Sequence, residues 1–369
     1  MREYLLVFVV AVAVTYALTP LVRVIAVRIG AMTAVRARDV HTFPVPRLGG
    51  VAMLFGFLAS VAVATRLEHL SQIFASQEIL GICLGAILIT LVGAIDDVRE
   101  LDWLTKLAGQ IIATGVMAGL GVQLLSLPLF GVTVLPAPVL MALTIVIVIV
   151  TINAVNFIDG LDGLAAGIVA IASLAFFLYA YQLSFQYNPP NVFSTATFVT
   201  AALLGCCVGF LPHNFNPARL FMGDAGALLL GLLLSAATIS MMGNIDPSVE
   251  VSRNATVAII LPIALPLAIM SIPLLDMTLA VVRRTRRGQR PWHPDAQHLQ
   301  HRMLQLGHSH RGAVLLLYLW AAIMAFGATS FAFVSGPLPL FFIAAGVIAA
   351  LLLTARLPTW LTRRRRATR

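Results

Sequence analysis

The stretch Met141-Ala-Leu-Thr-Ile-Val-Ile-Val-Ile-Val-Thr-Ile-Asn153-Ala-Val-Asn156-Phe-Ile-Asp159-Gly-Leu-Asp162-Gly163 passes from an unbroken apolar run into amides and carboxylates spaced three apart. A helix needs roughly 20 apolar residues to cross the hydrocarbon core of a bilayer, and the run that starts near residue 138 is of that kind. Residues three apart on a helix step back by about 60°. Asn156, Asp159 and Asp162 would therefore span about 120° of one surface if the helix persisted. Gly160 and Gly163 are placed to break it into a tight turn that lets backbone approach a ligand. Amides and carboxylates at this depth are costly unless they face a polar cavity or each other. A purely structural polar cluster between helices is the competing reading.

Working outward, the same apolar signature recurs over 4–22, 48–65, 78–95, 106–122, 138–155, 164–182, 195–212, 225–242, 255–277, 313–332 and 338–356, eleven candidate spans. The chain is 60% hydrophobic and 11% charged over 369 residues, too apolar for a soluble domain. No long soluble stretch interrupts it, so the sequence predicts an all-α, polytopic membrane protein forming one domain over 1–369. A barrel would show short alternating segments instead. The net charge of +9 and pI near 10.3 are in the range of nucleic-acid binders, but nearly all the Lys and Arg fall in alternate loops. Arg283 to Arg290 and Arg363 to Arg366 are the densest runs. By the positive-inside rule that side is cytoplasmic, with the N-terminus outside and the C-terminus inside; the terminal Arg run reads as an anchor to anionic lipid. The first apolar run, preceded by a single Arg beside a Glu, lacks a convincing basic start and small-residue cleavage site and is read as retained. Cys83, Cys206 and Cys207 all lie inside spans and are read as buried thiols, not as a disulfide framework.

On this count four polar clusters share the cytoplasmic side. Asp96-Asp97 puts two acids at a helix C-terminal end, where the macrodipole is already negative. A cation should compensate, either Arg99, Lys106 (the only lysine) or a divalent metal; the bland reading is a loop start, with Asp102 capping the next helix. The segment 153–163 is the second cluster. Asn214-Phe-Asn216-Pro-Ala-Arg219-Leu-Phe221-Met-Gly223-Asp224-Ala-Gly226 is the third, with Asp224 either a simple N-cap or a ligand beside an aromatic surface suited to a base. The fourth is Pro294-Asp295-Ala-Gln-His298-Leu-Gln-His301-Arg302 followed by His308-Ser-His310-Arg311. Five of the eight histidines lie between 293 and 310. His298 and His301 can share one helical face beside Arg302. No Cys or acid completes a zinc set there, so phosphate binding is the better reading, and a solvated basic loop the plain one.

Together with Pro46-Arg-Leu-Gly49-Gly50, these clusters resemble the polyprenyl-phosphate N-acetylhexosamine-1-phosphate transferases, from about Pro44 to Arg311. The histidine loop looks like that of the branch that uses UDP-GlcNAc. Gln300 stands where a histidine is usual, Ala296 where a basic residue is common, and Asp39 where Lys often precedes His41. The resemblance implies Mg²⁺-dependent (or Mn²⁺-dependent) transfer of GlcNAc-1-phosphate from UDP-GlcNAc to a polyprenyl phosphate. The products are a polyprenyl-pyrophosphate sugar and UMP. It places the enzyme in a bacterial plasma membrane, with its site on the cytoplasmic face, and admits a homodimer. It implies Asp96 and Asp224 as metal ligands; Asp96, Asp97, Asp159 and Asp162 as catalytic residues, with Asp97 orienting or deprotonating the lipid phosphate; and Asn153, Asn156, Asn214, Phe221, His298, His301, Arg302, His41 and Arg47 as substrate-binding. Uridine would lie near Asn156, Asp159, Asp162 and Asn214 with Phe221 stacked on it, and His298, His301 and Arg302 would face the diphosphate or sugar.

Other donors, including UDP-MurNAc-pentapeptide, are the nearest alternative. A secondary transporter is the rival class. It would couple ions through acids near mid-span, whereas here the acids crowd one face and no internal repeat is visible.

Overall fold

Apolar runs of this length have no water to satisfy their backbone inside a bilayer, and helices satisfy it internally. The structure is a computed structural model and describes residues 1–33, 44–125, 135–187, 194–243, 267–268, 271–286, 288, 299–334 and 336–367. The order is α1 (Arg2–Arg28), α2 (Gly49–Ala64), a 3-10 turn (Leu70–Ala75), α3 (Glu78–Arg99), α4 (Trp103–Gly119), α5 (Ala137–Ile158), α6 (Leu164–Tyr187), α7 (Thr195–Asn214), α8 (Gly223–Gly243), α9 (Ser271–Arg286), α10 (Leu299–Gln305), α11 (His310–Ser330) and α12 (Leu338–Ala367). Among the described residues, eight helices are long and apolar enough to cross a membrane, with Gly49–Ala64 a shorter apolar one. The chain is thus an all-helical, polytopic membrane protein.

Ten of the eleven apolar runs coincide with helices. The ninth, 255–277, lies mostly outside the described residues, and α9 continues past its expected end to Arg286. The stretch between the ninth and tenth apolar runs, 278–312, accordingly contains the last turns of α9, all of α10 and the start of α11.

α8 is the centre. It packs against α2, α3, α5 and α7, and its residues are buried nearly all round, whereas α12 lies mostly exposed at the edge. Close approach there depends on residues without side chains, as is common where membrane helices meet. A Cβ on Gly50 of α2 would fall 2.1 Å from the Gly226 nitrogen, and one on Gly93 of α3 would fall 2.5 Å from the Ala225 Cα. Further along α8, a Cβ on Gly231 would fall 2.5 Å from the Ile152 Cα of α5. The first turn of α8 is therefore pressed between α2 and α3. α3, α5 and α7 end, and α4, α8 and α11 begin, at one end of the bundle, where the polar clusters meet.

Candidate functional site

Asp97 builds the entry to α8. Its Oδ1 accepts from the Asp224 N–H at 2.9 Å and its Oδ2 from the Ala225 N–H at 3.1 Å. First-turn N–H groups have no partner within their own helix, and here the side chain that satisfies two of them comes from α3. This corrects the reading of Asp224 as a simple N-cap: the cap is Asp97, and the Asp224 carboxylate is left free to point elsewhere. Gly223, at φ +68°, turns the chain into that entry, and a Cβ there would fall 2.2 Å from Asp97 Oδ2. On the other side, Gly49 and Gly50 donate their N–H groups to the Phe221 and Met222 carbonyls at 3.0 and 2.9 Å, and the Phe221 N–H returns to Pro46 O at 2.9 Å. The Pro46-Arg-Leu-Gly-Gly stretch is thus a backbone brace for the segment that carries Phe221 and Asp224.

The Asp224 carboxylate is shared. Asn156 Nδ2 donates to its Oδ1 at 2.6 Å, and the Lys106 ammonium pairs with its Oδ2. Lys106 also reaches Asp96 Oδ2 at 3.0 Å, while Asp96 Oδ1 accepts from the Leu101 N–H at 2.7 Å. Two carboxylates from α3 and α8 therefore converge on one cation position, filled by the chain's only lysine. Arg99, the other candidate, is exposed. Asp102 caps α4, accepting from the Leu104 and Thr105 N–H groups, as expected; the Thr105 hydroxyl bond then holds its carboxyl below the usual range.

α5 ends at Ile158, and Asp159 terminates it. The turn that follows carries Gly163 at φ +79°, a backbone that favours glycine. Its N–H donates to Asn214 Oδ1 at 3.0 Å, and Asn214 Nδ2 donates to Leu220 O at 3.0 Å. Asp162 is buried. Its Oδ2 accepts from Asn216 Nδ2 at 2.9 Å and from the Ala218 N–H at 3.0 Å. Burial, and then the negative charges of Asp224 and Asp97, push the Asp159 carboxyl up to about 8. These parts enclose a cavity of about 270 Å³ lined by Thr33, Arg47, Asp97, Asn156, Asp159, Gly160, Leu161, Asp162, Asn214, Phe221, Gly223 and Asp224. Arg47 is held at its wall by Thr33, which accepts from Nε at 2.7 Å.

Of the expected site residues, Asp97, Asp159, Asp162, Asn156, Asn214, Phe221, Arg47 and Asp224 all line this cavity, and Asp96 stands just behind it through Lys106. Asn153 does not reach it. Its amide pairs with Gln110 of α4 in both directions, at 2.9 and 3.4 Å, because one turn deeper in the bundle the side chain faces α4 instead of the opening. Arg302, on α10, is exposed and is not part of the cavity wall. His301 also belongs to α10. His41 and His298 lie outside the described residues. The expectation of site residues left out Lys106, although its being the only lysine singled it out as a counter-charge. It also left out Thr33, Gln110 and Asn216, for which nothing in the local pattern is distinctive.

A divalent cation fits this donor set. Among the described residues no three His, Cys, Asp or Glu side chains form a metal-holding group. Mg²⁺, however, keeps several waters and is commonly held by one or two carboxylates plus substrate phosphates. Asp96 and Asp224, already gathered around one positive charge, meet that requirement.

The model of the family described as "Glycosyl transferase family 4" matches residues 79–243, which carry most of the site. The chain is 42% identical over 335 residues to a decaprenyl-phosphate N-acetylglucosaminephosphotransferase of Mycolicibacterium smegmatis, covering 89% of this chain and 82% of that protein. It is 29% identical over 312 residues to an undecaprenyl-phosphate alpha-N-acetylglucosaminyl 1-phosphate transferase of Yersinia pestis, 82% of this chain and 77% of that one. A phospho-N-acetylmuramoyl-pentapeptide-transferase of Desulforudis audaxviator is 34% identical over 217 residues, 53% of this chain and 62% of its own.

Proposed function

The chain belongs to glycosyl transferase family 4, and from that premise we propose that it transfers GlcNAc-1-phosphate from UDP-GlcNAc to a polyprenyl phosphate. A phosphate oxygen of the lipid attacks the sugar-bearing phosphorus, a new P–O–P bond forms, and UMP leaves. The observation that carries this reading is the convergence of Asp96, Asp224, Lys106 and Asn156 beside a polar cavity at the end of an apolar bundle. One substrate is anionic and water-soluble while the other is a phosphate on a hydrocarbon chain, so the reaction belongs where helices meet an interface.

Two phosphate groups brought together repel strongly, and catalysis of such a transfer is mostly positioning and charge neutralisation. Bound Mg²⁺, held by Asp96 and Asp224, would supply further positive charge to the diphosphate. The protein's own part is separable. Lys106 and Arg47 offer fixed cations, Asn156 orients Asp224, and Phe221 offers an aromatic face to the uracil. Asp159, Asp162 and Asn214 shape the turn that receives the nucleoside. Both Asp97 oxygens are occupied by the α8 entry, which favours a role in placing Asp224 over one as a base. A phosphate monoester has its second pKa at about 6, so the acceptor is already largely dianionic at neutral pH.

The same reading takes 1–369 as one domain of eleven spans, with the N-terminus outside, the C-terminus in the cytoplasm and the cavity on the cytoplasmic face of a bacterial plasma membrane. The basic residues flanking the cavity end support it. UDP-MurNAc-pentapeptide is the second donor to consider, because one relative named for that transfer matches about half of the chain. Purified protein incubated with Mg²⁺, polyprenyl phosphate and each UDP-sugar in turn should release UMP with UDP-GlcNAc. Release only with the pentapeptide donor, or with neither, would overturn the proposal.

A further inference from the structure

The turn that receives the nucleoside in this reading is gripped from behind by α11. The Asp162 N–H donates to His310 Nε2 at 3.1 Å, so that nitrogen carries a lone pair and the imidazole is the neutral form protonated on Nδ1. One residue on, Arg311 Nε donates to Asn216 O at 3.0 Å. Two turns further along the same helix, the Tyr318 hydroxyl donates to Gly163 O. The Tyr318 ring lies directly on the α6 backbone, so closely that a Cβ on Gly167 would fall 1.9 Å from it. The Asn216 side chain in turn donates to Asp162 Oδ2. α11 thus holds one N–H and one C=O of the 159–163 turn directly, and reaches the Asp162 carboxylate through Asn216. His310, Arg311 and Tyr318 are not part of the cavity wall.

We propose that His310, assisted by Arg311 and Tyr318, is a positioning residue for the nucleotide donor: it fixes the backbone of the 159–163 turn, and with it Asp159 and Asp162, without touching the donor. The inference rests on the cavity being the donor site. The imidazole acts only as an acceptor at the Nε2 position, which makes the requirement geometric. Glutamine can place its Oε1 close to where Nε2 stands and accept the same N–H. Asparagine is a bond shorter and cannot, and leucine has no acceptor.

The test uses the full chain in detergent or nanodiscs, with UMP release measured against UDP-GlcNAc and polyprenyl phosphate separately, and thermal unfolding measured beside it. His310→Leu and His310→Asn should each raise the KM for UDP-GlcNAc on the order of ten-fold, the effect of losing one buried hydrogen bond. The KM for the lipid should stay near its wild-type value. His310→Gln should recover most of the donor KM, and Tyr318→Phe should shift it in the same direction as His310→Leu. Equal KM values for the Gln, Asn and Leu variants, or parallel losses toward both substrates that track the unfolding temperature, would overturn the inference while leaving the donor site standing. Wild-type protein that does not turn over UDP-GlcNAc would overturn both.

Discussion

Asp97→Asn separates a positioning role for this carboxylate from a role as a base. The side chain is buried and makes two charge-assisted bonds to the first turn of α8, at 2.9 and 3.1 Å. Asparagine keeps one acceptor and turns an NH₂ group toward the second N–H, so one bond is lost and one buried donor is left facing another. A hydrogen bond to a charged group contributes roughly 1.5–3 kcal/mol, and an unsatisfied buried donor costs about 1–3 kcal/mol. With partial relaxation, the expected destabilisation is about 2–4 kcal/mol, and Asp224, the next residue bonded to that carboxylate, moves with the helix entry. A displacement near 1 Å at a reacting centre costs on the order of 100-fold in rate. The assay is UMP release across a pH series, with thermal unfolding in the same detergent. The variant should unfold at a lower temperature and lose activity at every pH. Unchanged unfolding together with activity fully restored at high pH would refute the argument and return Asp97 to the role of a base.

Gly93→Ala places a methyl group against the Ala225 backbone, whereas Gly115→Ala meets nothing within 4 Å; the first should lower the unfolding temperature and abolish UMP release, and the second should leave both near wild type. Lys106→Met leaves Asp96 and Asp224 without their shared cation; allowing for its partial exposure, the loss is about 1–3 kcal/mol, and added Mg²⁺ should raise the unfolding temperature of the variant more than that of the wild type. Asp159 sits at about 8, so below that pH its carboxyl holds a proton that a neighbouring bound cation drives off. Apparent Mg²⁺ affinity should therefore weaken as the pH falls through about 8, and calorimetry in buffers of different ionisation enthalpy should detect proton release that Asp159→Asn reduces.

The helices were legible because apolar length alone decides whether a segment can cross a bilayer, and the polar clusters were legible because they interrupt it. The end of α5 near Gly160 and the turn at Gly163 followed from local rules, as did the Asp102 cap. What escaped was set by neighbours distant in sequence. Asp97 caps a helix that begins 126 residues later (223 − 97), and no local pattern distinguishes it from an acid exposed at a loop. Asn153 fits the three-residue spacing of the cavity residues, yet sits one turn too deep and finds Gln110. Thr33 and Asn216 are ordinary loop residues whose roles exist only once α1, α2, α7 and α8 are assembled.

The chemistry proposed for this site depends most directly on a divalent cation held between α3 and α8. Binding of Mn²⁺ to the purified protein, followed by electron paramagnetic resonance alongside UMP release, measures it. Asp96→Asn and Asp224→Asn should each weaken Mn²⁺ binding and activity together, while Asp102→Asn, at the exposed α4 cap, should change neither. Wild-type Mn²⁺ affinity in the Asp224→Asn variant would contradict the account.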